Sequence, residues 1–450
     1  MINNKQKFTE TFLIIGLGQT GLSCARFLVK KGYVVAVMDT RDKPPALEVL
    51  QAELPEVLVR TGGLSHDWML RSDTIILSPG VDPRLPEIKA ARELGIEIIG
   101  DVELFTRYIT EPVIAITGSN GKSTVTTMIA EMAVMAGKNV QVGGNLGVPA
   151  LELIIEPGPD FYILELSSFQ LETVSSLNAK AAVVLNISPD HLDRYDNLQQ
   201  YQNAKAKIYV GSDTMIINRD DPVVNSWPRD DRRQIGFTLN TPKDNEFGLI
   251  RDEGQTYLAQ GQQKLIDTEK LQITGKHNMA NALAALALGN AMALPMGAML
   301  QSISEYRGLP HRCQLVEKQD GIRWINDSKA TNVGACIAAI EGLANNKNII
   351  LIAGGIAKDQ EFSALNPVLS EYVKTILIIG QDAKLIAESV PDNVMQYYCQ
   401  DMASALEQAK LEAVKGDTVL LSPACASFDM YDNYIKRGDS FIHSVEELLT

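Results

Sequence analysis

Short apolar runs recur along the chain, each ending in glycine, serine, cysteine or an acidic or polar residue. TFLIIG at 11–16, YVVAVMD at 33–39, DTIILSPG at 73–80 and IEIIG at 96–100 open the series. VIAI at 113–116, FYILEL at 161–166 and AAVVLNI at 181–187 continue it. IRWIND at 322–327, NIILIAGG at 348–355, TILIIG at 375–380 and DTVLLSPAC at 417–425 close it. Such short, continuously apolar runs predict strands buried on both faces, as in parallel sheets. Helical patterns lie between them, at about 22–31, 122–137, 198–209 and from 274 onward. Strands alternating with helices predict α/β units. The alternation restarts near Asp101 and again near Leu309, so three α/β units in series are expected, over 1–100, 101–308 and 309–450. Residues 213–275 break the pattern with short strands and many turns, which predicts a small appended sheet.

Length and composition narrow the class. At 450 residues the chain has room for two to four domains, and 45% hydrophobic with 21% charged residues is ordinary globular material. A net charge of −14 argues against a nucleic-acid partner, though not against small anions held by local donors. Cys24, Cys313, Cys336, Cys399 and Cys425 are odd in number and form no C-x-x-C pair, so neither a zinc site nor a disulfide framework is expected. A reducing cytoplasm is the expected location. The apolar stretch 282–300 contains Gly289, Asn290 and Pro295 and reads as core helix, so no membrane span is expected.

Two glycine turns carry candidate chemistry. In the first, GLGQTG at 16–21 follows a strand and opens a helix, with Asp39 at the end of the next strand. That is the pattern of a nucleotide-binding βαβ unit. In the second, TGSNG at 117–121 leads from a strand into Lys122, Ser123 and Thr124 at a helix start. Glycines there let backbone N–H groups approach phosphates, and the helix N-terminus adds partial positive charge. Lys122 can reach terminal phosphates, and Ser123 or Thr124 can hold Mg²⁺. The usual phosphate-loop pattern would have glycine at position 116, where this chain has Ile116. Glu165 ends an apolar strand, a place where nucleotide enzymes put a Mg²⁺ carboxylate. His191 follows the next strand, as a metal ligand or as a capping histidine.

The chain resembles the Mur ligase family, whose members add amino acids to the peptidoglycan precursor. The resemblance rests on GSNGKST at 118–124, LELSSFQLE at 164–172, SPDHLDRY at 188–195, NAKAKIY at 203–209, HNMAN at 277–281, GLPHRCQ at 308–314, NDSKATN at 326–332 and SPACASFD at 422–429. It implies a Rossmann-like UDP-binding domain, a central P-loop ATPase-like domain and a C-terminal Rossmann-like domain. It implies that ATP and Mg²⁺, at two sites, are used to join D-glutamate to UDP-N-acetylmuramoyl-L-alanine, by a monomer with no nucleic-acid partner. NDSKATN together with GSNGKST and SPACASFD points to the D-glutamate-adding branch.

Residue by residue, the resemblance assigns ATP to Gly118, Ser119, Asn120, Gly121, Lys122, Ser123 and Thr124, to Asn278 and Asn281 at the adenine, and to Arg312, Asp327 and Lys329 from the third unit. Metal would be held by Ser123, Glu165, His191 and Lys205, the last as a carbamate, with Lys207 a competing position. Lys122, His191 and Lys205 would serve catalysis. The UDP substrate would lie among Gln19, Thr20, Asp39, Thr40, Arg41, Ser78, Pro79, Gly80, Asn145, His191 and Tyr201. D-glutamate would meet Thr331, Lys358, Ser427 and the main chain of Tyr434, where the family more often has Phe. A nicotinamide oxidoreductase is the rival reading from GLGQTG and Asp39 alone. A sister ligase and a non-catalytic nucleotide-binding regulator are the others.

Overall fold

The computed structural model describes residues 10–145, 147–190, 194–227, 231–273, 275–357 and 360–450. Among them, strands form three sheets. The first contains β1 (Thr11–Ile15), β2 (Val34–Met38), β3 (Leu58–Arg60), β4 (Thr74–Leu77) and β5 (Glu97–Ile99), in the order β3-β2-β1-β4-β5. All its pairs are parallel. The chain reverses its direction of travel across this sheet at β1, so a crevice opens beyond the carboxyl ends of β1 and β4.

The central sheet contains β6 (Val113–Thr117), β7 (Val140–Gly144), β8 (Phe161–Glu165), β9 (Ala181–Val184), β10 (Thr214–Asn218), β11 (Arg233–Phe237), β12 (Phe247–Asp252), β13 (Gln255–Gln260) and β14 (Gln263–Asp267). Their order is β14-β13-β12-β11-β10-β9-β6-β8-β7. The expected appended sheet is therefore a continuation of the main one. β10 pairs with β9 in parallel over four residues, and an antiparallel meander β12-β13-β14 extends the edge. The sequence pattern shows short strands and turns but not their partners, because pairing across a sheet leaves no local periodicity.

The third sheet contains β15 (Gln314–Gln319), β16 (Ile322–Asn326), β17 (Ile349–Gly354), β18 (Val373–Ile379), β19 (Met395–Tyr398) and β20 (Thr418–Leu421), ordered β15-β16-β20-β17-β18-β19. Only the β15–β16 pair is antiparallel. The central strands are the sequence's apolar runs: every residue of β6, β8, β9 and β17 is buried. Strands apolar on both sides need cover on both faces, and helices supply it. The helix Lys276–Ala291 buries the run Asn281–Gly289 and lies between β9–β12 and the helix Lys122–Met135. Its alanines let it approach both. No helix of the described residues is long and apolar enough to cross a membrane.

Candidate functional site

The second glycine turn is built by backbone needs first. Gly118 and Gly121 have φ of 155° and 84°, and a side chain at Gly121 would meet Asn281 Oδ1 at 2.5 Å. Only glycine fits that left-handed position so close to a neighbour. Lys122 then starts the helix. Its Nζ turns back over the turn and donates to the carbonyls of Gly118 and Ser119 at 2.8 and 2.9 Å. Burial lowers its pKa, with Glu165 and Asp190 opposing and Arg312 adding to the fall. Asn186, beyond β9, accepts the N–H of Asn120 at 2.8 Å, and Ser119 Oγ donates to the Ser188 carbonyl. Thr124 is buried in the helix.

Around this turn the structure gathers a charged set. Lys205 is 2% exposed, and its Nζ donates to the Gly118 carbonyl at 3.0 Å and lies 3.3 Å from Thr117 Oγ1. Burial and the neighbouring Lys122 push its pKa well below the ordinary lysine range. Lys207 faces away, with its Nζ on the Glu172 carbonyl at 2.7 Å. Glu165 is also 2% exposed; its Oε1 accepts from Asn145 Nδ2 at 2.8 Å, while its Oε2 is buried without a partner. A buried carboxylate oxygen with no donor is costly unless a cation serves it. Among the described residues no three His, Cys, Asp or Glu side chains converge as a metal cluster. A metal here would depend on Ser123, Lys205 and His191 besides Glu165, and His191 lies outside the described residues.

From the third unit, Arg312 Nη2 reaches Ser123 Oγ at 2.8 Å. Asp327 orients that segment: its Oδ1 accepts from the N–H of Cys313 at 3.1 Å and its Oδ2 from Ser422 Oγ at 2.8 Å. Burial raises the Asp327 pKa to about 7. Lys329 Nζ stands 4.3 Å over the Tyr434 ring, and Ser328 Oγ donates to the Tyr434 carbonyl. Thr331 follows on the same loop, its N–H on the Lys329 carbonyl. Ser427 is buried and its carbonyl accepts the N–H groups of Met430 and Tyr431. Tyr434 opens the helix Tyr434–Leu449, capped by the Asn433 side chain. Lys358 lies outside the described residues. Asn281 Nδ2 and Asn278 Oδ1 stand 3.5 Å apart on the helix beside the second turn.

The first glycine turn lines a separate cavity of about 470 Å³. Gln19, Thr20, Asp39, Thr40, Arg41, Ser78, Pro79, Gly80 and Asn145 all border it, so residues far apart in sequence meet at the crevice beyond β1, β2 and β4. Both Asp39 oxygens are already engaged: with the Leu17 N–H at 2.7 Å, and with the Arg41 N–H and guanidinium at 2.7 to 2.9 Å. Burial raises the carboxyl's pKa, but these donors outweigh it and hold it below the usual range. An aspartate so occupied shapes the turn rather than presenting itself to a ribose, which removes the main support for the nicotinamide reading. Tyr201 stands apart from this wall, fully buried, with its hydroxyl 3.0 Å from Ser119 Oγ.

Sequence reasoning missed several structural members of the site. Arg437 is 1% exposed and donates to Ser328 Oγ and to the carbonyls of Ser328, Cys425 and Gly354, tying three segments together. Its signal was present: Arg437, Phe441 and Val445 form one helical stripe. Gln170 stood inside LELSSFQLE without a role of its own, and Asn186 lay at the end of an apolar run.

Two phosphate-type turns on parallel α/β units, with a third unit reaching across one of them, define a multidomain nucleotide-dependent enzyme. The chain belongs to the Mur ligase family. Its residues 10–100, 116–289 and 311–425 match the MurD-like N-terminal domain, the middle domain and the glutamate ligase domain of Mur ligases. The UDP-N-acetylmuramoylalanine–D-glutamate ligase of Nitrosococcus oceani is 49% identical over 98% of this chain and 97% of its own length. A pseudomurein peptide ligase type C from Methanothermus fervidus shares the fold at TM-score 0.61 and 19% identity, over 97% of this chain and 100% of that one. MurF ligase from Thermotoga maritima, solved in complex with ADP, does so at 0.61 and 14%, over 99% and 98%.

Proposed function

We infer that the chain is an ATP-dependent amide ligase that joins D-glutamate to UDP-N-acetylmuramoyl-L-alanine in peptidoglycan precursor synthesis. The observation that carries this reading is near-full-length likeness to a ligase of that name, on a chain whose Lys122, Lys205, Glu165 and Arg312 converge on one glycine turn. ATP phosphates would lie on the N–H groups of 118–124, with adenine toward Asn278 and Asn281. The UDP end would occupy the cavity at Gln19, Thr20, Thr40, Arg41 and Ser78–Gly80. The cytoplasm is the compartment we assign, its reducing conditions suiting five cysteines that form no disulfide.

In the reaction, an oxygen of the alanyl carboxylate attacks the γ-phosphorus and ADP leaves. The D-glutamate nitrogen then attacks the acyl carbon, loses a proton and expels phosphate. The protein's part is positioning and charge stabilisation. Lys122 and Arg312 would balance charge on the transferring group. His191 is the group we assign to orient the attack or accept the proton. The orphaned Glu165 Oε2 calls for a cation, and Ser123, His191 and Lys205 would complete the ligands of a divalent ion. Bound Mg²⁺ would neutralise phosphate charge. Burial, with Lys122 beside it, lowers the pKa of Lys205, which favours the amine form that carbon dioxide requires, and the adduct would offer oxygen in place of a repelling ammonium.

For D-glutamate, the N-terminus of the helix Tyr434–Leu449 offers N–H donors and partial positive charge to one carboxylate, beside Ser427. Lys358 and Thr331 would take the other. ADP release should require both UDP-N-acetylmuramoyl-L-alanine and D-glutamate, and L-glutamate should not replace the latter. ADP release without the nucleotide–alanine substrate, or a preference for L-glutamate, would overturn the reading.

A further inference from the structure

The first and central units meet along a seam. Away from the cavity, the helix Asp101–Thr106 at the junction is tied to the body of the central unit, where Glu103 accepts from the Ser175 and Ser176 N–H groups. At the cavity side, Arg194 crosses the seam. Its Nη2 donates to the Val81 carbonyl of the first unit at 3.0 Å and to Glu172 Oε2 of the central unit at 2.8 Å. Its guanidinium carbon stands 4.6 Å from the centre of the Phe169 ring. Both members of the Arg194–Glu172 pair are largely buried, with side chains 10% and 16% exposed. A pair that dry is only weakly screened by water. Other ion pairs across the seam, Arg84–Asp196, Arg26–Glu152 and Arg107–Glu97, are each more than a third exposed on both sides and so contribute little.

What Arg194 holds is specific. Val81 closes the turn Ser78-Pro79-Gly80, its N–H on the Ser78 carbonyl at 2.9 Å, and Ser78 Oγ donates to the Gly16 carbonyl at 2.7 Å. Val81 and Gln170, the neighbour of Phe169, both border the 470 Å³ cavity. On the other side, Phe169 lies against Tyr195, Tyr195 against Tyr201, and the Tyr201 hydroxyl against Ser119 of the second glycine turn. One guanidinium thus fastens the wall of the cavity to a ring stack that ends at the second glycine turn.

We propose that Arg194 is a positioning residue. It fixes the 78–81 turn of the first unit against the central unit, so that a nucleotide-linked substrate in the cavity presents its carboxylate at the correct distance from the second glycine turn. This rests on the ligase reading above. Nothing in it requires Arg194 to touch substrate.

The test compares steady-state constants of the full chain with those of Arg194→Ala, Arg194→Lys and Glu172→Gln. Arg194→Ala should raise the KM for UDP-N-acetylmuramoyl-L-alanine about tenfold, the scale of one lost hydrogen bond from a charged donor, and lower kcat. The KM for ATP should stay within about twofold, as none of Arg194's contacts reaches the ATP turn directly. Added guanidinium ion should restore part of the alanine variant's activity. Arg194→Lys should fall between, because one ammonium on a flexible stem cannot reproduce the planar fork. Should Arg194→Ala not fold, Glu172→Gln should still raise the same KM and leave that for ATP alone. Parallel shifts in all three substrate constants, or no shift in the nucleotide–alanine KM, would overturn the proposal. A parent chain that consumes ATP only with the nucleotide–alanine substrate and D-glutamate keeps the ligase reading standing whichever way the variants behave.

Discussion

The two glycine turns start from the same local plan and end with opposite chemistry. Each follows a central parallel strand, β1 or β6, and each opens a helix, Gln19–Lys31 or Lys122–Met135. The first turn has no lysine, and its nearest buried carboxylate, Asp39, is saturated by Leu17 and Arg41. The second has two lysines donating to the same Gly118 carbonyl, and beside them a carboxylate with one oxygen unpartnered. A backbone cradle supplies N–H donors to any phosphate. What the cradle does with the phosphate depends on the charges the rest of the chain brings to it. At the first turn the charges are paired with one another; the second gathers cationic side chains and an unpartnered carboxylate oxygen, the equipment that stabilises charge on a transferring phosphoryl group.

The comparison breaks most visibly at Lys122. Lys122→Ala removes the cation that folds back over the second turn and leaves Lys205 and Arg312 there. Turnover should fall on the order of 10²–10³-fold, the loss expected for one preorganised stabiliser of developing charge. The KM for the nucleotide–alanine substrate should change little. Near-normal turnover in stopped-time ADP assays would mean that the two turns do not divide the work in this way.

Asn145 sharpens the contrast because it belongs to both sites: it borders the first cavity, and its Nδ2 orients Glu165. If the proposed metal sits on Glu165, Asn145→Ala should weaken its binding on the order of 10–100-fold, as loss of a residue that orients a ligand does. A magnesium titration of activity reads this directly. An unchanged half-saturating concentration would separate Glu165 from the metal.

Much of this was legible in the sequence. Lys122, Glu165 and Lys205 stand at strand ends or on a helix in recognisable motifs, and the structure brings them to one turn. The choice of Lys205 over Lys207 follows from the helix: two residues apart they project in different directions, one onto Gly118 and one onto Glu172. The wall of the first cavity was legible because ligands of open sheets bind at strand ends. Asp39 was legible as a site residue, but its engagement with Leu17 was not, since a carboxylate's partners are set by the approach of distant backbone. The continuity of β10–β14 with β9, and the stitching by Arg437, were hidden for the same reason. His191 and Lys358 lie outside the described residues.

A smaller effect is expected at Asp39. Asp39→Asn keeps the size of the side chain but removes the charge that holds Arg41. The KM for the nucleotide–alanine substrate should rise up to about tenfold, within the range for a lost charge-assisted hydrogen bond, with kcat nearly constant. A fall in kcat without a change in KM would place Asp39 in the chemistry and erase the contrast with the second turn.

The turns differ last in their neighbours: among the described residues the third unit reaches over the second through Arg312, and His277 lies in that seam. Its ring packs directly over Gly342 of the helix Val333–Leu343, where a side chain on that glycine would collide with it, and it is bonded to the Ala338 backbone. Burial lowers its pKa to about 4, from 6.5. The neutral ring is therefore the form the seam accepts. Above pH 6.5 both the packed and the opened chain hold it neutral, and its full contribution is present. As pH falls from 6.5 toward 4, the opened chain binds a proton that the packed chain refuses, and stability is lost by on the order of 2 kcal/mol. Asp327 and Asp101 work in the opposite sense. Their carboxyls, raised to about 7 and about 6, keep protons that the opened chain has released above 3.8, so they erode stability as pH rises. The parent's melting temperature alone would mix these trends. The difference between the parent and His277→Gln isolates the histidine, because both chains carry the two aspartates. That difference should shrink by a few degrees between pH 7 and pH 4.5. A difference independent of pH would show that His277 does not titrate on opening, and that the seam over the second turn is indifferent to its charge.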